Sequence, residues 1–333
     1  MLIPPKYTFT PQIAELLMSI EASREVIRTF PLDPVVEVNI MRASILKSSL
    51  YSAKIEGNPL TLEEITGRTS REQKKLEVFN LLKTLNFIKE TSVIPAKAGI
   101  HTNINVKYLL ELHRLVHGAK KGNSAGFRTE AEALYNSAGI AVELFPRPSV
   151  IKPLVERLLK YVNSTRERHV PIKAILAHYS LEKIHPFVDG NGRVGRCLLQ
   201  KILFQGGYGM KGLLSIEEYL NNHRSTYYRM LEEPEKECTD YVEFMLEAIS
   251  VTAKEAKQLV LSKKVLETED FLLPRRAEML RLIKEQRMMN FDQFARRFSA
   301  VNPRTLRYDL KKLADAGHIK KLGSTRGVYY CPT

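Results

Sequence analysis

Twelve consecutive residues, HPFVDGNGRVGR from His185 to Arg196, gather one histidine, one acid, three glycines, one asparagine and two arginines. Gly190, Asn191 and Gly192 stand where a helix begins, so backbone N–H groups of the first turn lack intrahelical partners, and the missing side chains let an anion approach. That combination is a phosphate cradle. Arg193 and Arg196, three apart on the first turn, add planar donors suited to phosphate oxygens. Asp189 repels phosphate by itself, and in this company its carboxylate suits a magnesium ion bridging two phosphate groups. His185 is the group here that exchanges a proton near neutral pH. A cradle, a metal carboxylate and a base together point to transfer of a phosphorus group to a hydroxyl, driven by positioning and charge stabilisation.

Two helices must hold this stretch. VPIKAILAHYSLEKI before it and CLLQKILFQ after it carry apolar residues at three- and four-residue spacing. The same periodicity predicts helices over 11–29, 34–55, 71–92, 105–117, 149–163, 171–183, 191–205, 215–231 and 239–266. Between the helix ending at Gly57 and the next, the chain turns through Asn58 and Pro59, with Thr61 and Glu64 spaced as a capping box. Residues 118–150 are rich in Gly, Ser, Asn and Pro, and the runs EALYNS and IAVELF predict a small β-hairpin. The fold class is mainly α.

The chain has 333 residues, 44% apolar and 26% charged, which is ordinary for a folded protein large enough for two or three domains. No run of 18 apolar residues is present, and MLIPPKYTFTPQ lacks the basic start and apolar centre of a secretion signal, so the expectation is a cytoplasmic protein that does not engage a membrane. Cys197, Cys238 and Cys331 are far apart and in no metal-ligand spacing. Net charge is +14, concentrated at the end: from Pro274 to Thr333 there are 14 Lys and Arg against 5 Asp and Glu. An anionic partner is implied, nucleic acid first.

That tail predicts helices over 275–286 and 291–298, a third with Asn302 as N-cap, Pro303 at its first position and Gly317 as its stop, then two short strands joined by GSTRG. Three helices and a hairpin form the pattern of a C-terminal winged helix-turn-helix. Arg304, Thr305, Arg307, Tyr308 and Lys311 would face DNA, with Lys320, Lys321 and Arg326 on the wing; Leu306, Leu310, Leu313 and Ile319 would be core. Protein contact or dimerisation is the competing use of such a domain, so a homodimer is also open.

HPFVDGNGRVGR resembles the signature of the Fic family, with no departure at a defining position. The resemblance implies a helical Fic fold with the hairpin as its target-positioning flap, and transfer of AMP from ATP to a Ser, Thr or Tyr hydroxyl of a target protein, the chain's own hydroxyls included, with release of pyrophosphate. By the same resemblance His185 is the base, Phe187 the anchor of the loop, Asp189 the magnesium ligand, and the run Gly190, Asn191, Gly192, Arg193, Val194, Gly195 and Arg196 the nucleotide site, joined by Tyr227 and Tyr228. Arg196 is the arginine that meets the γ-phosphate. Ser52, Glu56 and Gly57 fit the family's inhibitory motif, in which the glutamate pairs with that arginine and displaces the γ-phosphate; a guanidinium gains a bidentate partner this way. Glu56 could also support removal of AMP. The domains expected are an N-terminal helical region with the inhibitory motif (1–100), a catalytic core (101–250), a helical linker (251–273) and the winged helix (274–333). Phosphocholine transfer, and a DNA-binding regulator whose Fic region senses nucleotide, are the alternatives. An intact His185 favours the enzyme. His178 reads as structural, and no function is assigned to His101, His113, His117, His169, His223 or His318.

Overall fold

The computed structural model describes residues 2–32, 34–66, 72–98, 103–118, 126–135, 141–232, 237–262, 272–299, 301–323 and 328–333. In chain order the elements are α1 (Pro11–Thr29), α2 (Pro34–Ile55), α3 (Leu62–Thr66), α4 (Glu72–Ala98), α5 (Val106–His117), β1 (Ala133–Tyr135), β2 (Ala141–Leu144), α6 (Pro148–Val162), α7 (Val170–Ile184), α8 (Asn191–Gln205), α9 (Ile216–Asn222), α10 (Arg224–Glu232), α11 (Thr239–Leu261), α12 (Pro274–Gln286), β3 (Met289–Asn290), α13 (Phe291–Arg297), α14 (Pro303–Asp315), β4 (Ile319–Leu322) and β5 (Tyr329–Pro332). The chain divides into two compact units: Met1–Leu32, Met41–Pro59 and Gln73–Leu261 form one, and Asp33–Ile40, Leu60–Glu72 and Ser262–Thr333 the other.

In the first unit α7 is central. From Pro171 to Ile184 nearly every side chain is buried, because α8, α6 and α11 pack around it. A helix apolar all round belongs inside a core, and the sequence over α7 shows that pattern. α1 packs along α11, and α5 against α8. The single helix expected over 215–231 is two, α9 and α10: His223 leaves the helical region (φ −115°, ψ 34°), and its ring stacks on Tyr219 with centroids 4.1 Å apart. β1 and β2 pair antiparallel, Ala133 opposite Leu144, as expected for the hairpin; its connection, 136–140, lies outside the described residues.

The second unit is built on Met279, Leu280, Ile283, Met289, Phe294, Leu306, Leu310, Leu313 and Ile319, all buried. The three helices and the hairpin expected of the tail are present. A further strand, β3, joins them in an antiparallel sheet ordered β3-β5-β4. Buried Asp309 accepts from Arg275 Nε (2.6 Å) and Arg276 Nε (2.7 Å), which ties α14 to α12. Asn302 caps α14 through the Arg304 N–H, and Gly317 (φ 75°) follows its end. Among the described residues no helix is long and apolar enough to cross a membrane.

Candidate active site

The loop between α7 and α8 is closed by its own asparagine. Asn191 Oδ1 accepts from the Phe187 N–H (2.9 Å), and Asn191 Nδ2 donates to the Phe187 carbonyl (2.7 Å). Phe187 is fully buried, stacked on His113 at 4.0 Å. The Asn191 side chain is thus committed to the loop, and only its backbone N–H is left at the start of α8. Gly190 caps α8 at φ 83°, a conformation that strains any side chain, and a Cβ there would also lie 2.5 Å from His117 Nε2. His185 holds the other left-handed position (φ 48°, ψ 61°), turning its ring out of α7.

That ring is fixed on three sides. Phe145, next after β2, stacks on it at 4.0 Å and 15°. Nδ1 faces the Glu182 carbonyl at 3.3 Å, so Nδ1 carries the proton and Nε2 keeps its lone pair. Nε2 lies 3.7 Å from Glu132 Oε1. Burial, with the nearby Arg128 cation, lowers the His185 pKa to about 4, so the imidazole is a neutral base at physiological pH.

Asp189 projects into solvent with its side chain 72% exposed; Oδ1 accepts from the Gly190 N–H (2.6 Å) and Oδ2 from Arg193 (3.0 Å). Burial works against its charge, yet Arg193 holds its pKa below the ordinary value. His113 and His117 each bring Nε2 to the Asp189 carbonyl, at 3.0 and 3.2 Å, and so fix the residue from below. Arg193 Nε is buried without a partner, a donor that a phosphate oxygen would satisfy.

Arg196 is 1% exposed. Its Nε donates to Ser52 Oγ (3.0 Å), and its Nη2 to the Ser52 carbonyl (3.0 Å) and to Glu56 Oε1 (2.9 Å). Glu56 reaches it from just past the end of α2, where Gly57 (φ 86°) reverses the chain and Tyr228 donates to the Ile55 carbonyl. Gly192 makes that approach possible: a Cβ there would stand 2.5 Å from Glu56 Oε1. Close to Arg196, Glu182 is half-buried; its Oε1 is enclosed without a hydrogen bond, with His178 Nε2 3.7 Å away, and desolvation raises its pKa to about 8, so it is protonated at neutral pH. His178, expected to be structural, is fully buried with its ring nitrogens 2.6 and 3.1 Å from the Tyr241 and Tyr227 hydroxyls.

Glu56, Phe145, Glu182, His185, Gly192, Arg196, Tyr227 and Tyr228 line one cavity of about 240 Å³. The expected residues from His185 to Arg196 lie on one loop and helix start, with Ser52, Glu56 and the tyrosine pair beside them; Val194 and Gly195 are buried in α8. Sequence reasoning missed Arg128, Glu132, Phe145, Glu182, His113 and His117. His113 and His117, four apart on α5, carried a signal; Arg128 carried none. In the other unit Arg304, Arg307, Tyr308 and Lys311 are exposed on α14, Thr305 is half-buried, and Arg326 lies outside the described residues.

The start of α8, Arg196 and a neutral histidine meet around one cavity on a helical scaffold. Residues 103–203 match the Fic/DOC family. The chain is similar to a protein adenylyltransferase Fic of Drosophila sechellia, 32% identical over 164 residues, 47% of this chain and 32% of the relative. The chain spans about a third of the length of such curated relatives. In fold it is similar to the crystal structure of a Fic family protein from Desulfovibrio desulfuricans G20 (TM-score 0.63, 22% identity, covering 99% of this chain and 98% of that one). A Fic domain containing signaling protein from Bacteroides thetaiotaomicron VPI-5482 aligns with TM-score 0.60 at 19% identity, over 75% of this chain and 99% of that one.

Proposed function

We propose that the protein is an adenylyltransferase that moves AMP from ATP to a Ser, Thr or Tyr hydroxyl of a target protein, and that Glu56 restrains it. One observation carries this reading: the cavity that holds the His185 base is also the one where Arg196 is engaged by Glu56. The target oxygen attacks the α-phosphorus, its proton passes to His185 Nε2, and the bond from the α-phosphorus to the bridging oxygen breaks, releasing pyrophosphate. The unpaired N–H groups of the α8 first turn and Arg193 bind phosphate oxygens and stabilise charge as it moves. Asp189, with exposed, charged oxygens beside that helix start, fits magnesium, which favours one or two carboxylates plus substrate phosphates. When bound there, magnesium would neutralise phosphate charge. Glu56 competes with the γ-phosphate for Arg196 and so favours an unproductive triphosphate pose. A protonated Glu182 leaves Glu56 as the carboxylate on this arginine.

The test is incubation of purified protein with α-labelled ATP, magnesium and a cell lysate. Labelled protein bands are expected, and His185→Ala should abolish them while binding ATP as the parent does. Label incorporation by His185→Ala at the parent's rate would overturn the assignment.

A second reading rests on the exposed basic face of α14. We infer that the tail is a winged helix that binds duplex DNA through Arg304, Arg307 and Lys311, with affinity falling steeply as salt rises, because binding releases condensed counterions and that release gains less in concentrated salt. Gel shifts of the full chain at two salt concentrations decide it; absence of binding at low salt favours protein contact instead.

A further inference from the structure

Arg128 stands outside the His185–Arg196 stretch, yet its side chain is 1% exposed and its contacts run to His185 and to both ends of the hairpin. Nε donates to the carbonyl of His185 itself (2.7 Å). Nη1 donates to the Glu130 carbonyl (2.8 Å), at the entry to β1, and Nη2 to the Pro146 carbonyl (2.5 Å), at the exit from β2. Its backbone N–H donates to the Pro186 carbonyl (2.8 Å), and its Nε lies 3.5 Å from Glu132 Oε2. A planar guanidinium with donors in a fixed fork suits three carbonyls of fixed direction, which a lysine's single ammonium cannot meet together.

Two consequences follow for the base. Nε holds the backbone of His185 in its left-handed position. Nη2 holds Pro146, and the residue before it, Phe145, is the ring stacked on the imidazole. Backbone and ring of His185 are therefore located through one side chain, which also ties both roots of the hairpin to the loop. We propose that Arg128 is a positioning residue for the transfer reaction, coupling the hairpin to His185 so that the base keeps its place over the cavity. This rests on the transfer reading above. Arg128 is not among the residues that line the cavity; it acts through His185, Phe145 and Glu132. Misplacement of a reacting group by about 1 Å can cost 10²-fold in rate. The charged groups around His185 are Arg128 and Glu132 from the hairpin side, Glu56 from the end of α2, and Lys183 on α7.

The experiment compares Arg128→Met and Arg128→Lys, each made in a Glu56→Gly background, by self-labelling with α-labelled ATP, ATP affinity by calorimetry, and titration of the His185 ring by NMR. For Arg128→Met the expected result is a labelling rate down about 100-fold, ATP affinity within about threefold, and a His185 titration midpoint moved upward as the cation is lost and the ring loosened. Arg128→Lys, which keeps the charge, should fall between in rate and leave the midpoint nearer the parent's; it also carries the test should Arg128→Met fail to fold. Labelling at the background rate, rate and ATP affinity falling in step, or an unmoved His185 midpoint in a folded Arg128→Met would each overturn the proposal. Should Glu56→Gly label nothing, the transfer reading fails separately, and the NMR titration still decides whether Arg128 positions His185.

Discussion

Replacing Glu56 by glycine removes the carboxylate from Arg196 and nothing else from the cavity. The guanidinium keeps Ser52 Oγ and the Ser52 carbonyl, so it is not left bare. A fully buried pair broken on one side costs about 3–5 kcal/mol. Glu56 is 37% exposed, so solvent screening reduces the loss here to about 1–2 kcal/mol. At about 2–4 °C per kcal/mol in a domain of this size, Tm should fall by a few degrees. Activity should move the other way. The Arg196 fork, freed from Glu56, becomes a fixed donor for the γ-phosphate and settles the triphosphate with its α-phosphorus toward the target hydroxyl. A preorganised donor of this kind is worth about 2.7–4 kcal/mol in the transition state, so turnover should rise about 10²- to 10³-fold. ATP affinity should change far less, since the gain lies in pose rather than in binding. Initial rates of label incorporation, calorimetric ATP affinity and Tm measure all three. Equal labelling by parent and variant, with the expected drop in Tm, would refute the reasoning, because the pair would then be broken with no effect on transfer. Chasing labelled product with the parent enzyme shows whether Glu56 also supports removal of AMP.

Three further outcomes are expected. Because burial holds His185 at about 4, kcat/KM of the Glu56→Gly enzyme should stay level from pH 7 to about pH 5 and fall only on approach to 4; an acid limb near 6.5 would mean that the ring is solvated. Burial raises Glu182 from 4.5 to about 8, so the folded state binds a proton that the unfolded chain has released, and the stability this contributes is complete below 4.5 and lost as pH rises through 8. Its slope is about 1.4 kcal/mol per pH unit, and Glu182→Gln should flatten the fall of Tm between pH 5 and 8; a slope equal to the parent's would contradict it. Asn191→Ala removes both bonds that close the loop on Phe187 and should cost about 2 kcal/mol in thermal unfolding, with slower labelling to match; an unchanged Tm would show the loop closed by other means.

The helices were legible because the apolar spacing that marks them is also what buries them. VPIKAILAHYSLEKI reads as a core helix, and α7 is one. The start of α8 was legible for a related reason: glycines flanking Asn191 at a helix start have few uses besides close approach. Misreadings came where a side chain serves the backbone. The Asn191 side chain is the clasp of the loop, a role that its place among the polar residues of the stretch does not reveal. The break at His223 was missed because the apolar period continues across it. Glu182, three residues before His185, carries no signal in the sequence; only packing shows it half-buried close to Arg196.

The arginines show why composition alone reads this site too simply. Arg128, Arg193 and Arg196 are all cations within reach of one loop, and by charge count any of them could be regulated by an acid. Their partners differ in a way that decides the matter. Arg128 is satisfied largely by main-chain carbonyls, which cannot leave without unfolding the hairpin and the loop. Arg193, in the first turn of α8, is paired with Asp189 four residues earlier in the adjoining loop, so acid and cation are tied to one short stretch of chain. Arg196 alone of the three takes its carboxylate from far along the chain, from Glu56 at a helix end with a glycine immediately behind it. A carboxylate there can swing out of the cavity while the loop, the cradle and the base stay in place. On the proposed reading, control of the triphosphate would fall on the Arg196–Glu56 contact, and a ligand or partner that pulls the end of α2 outward should act as Glu56→Gly does.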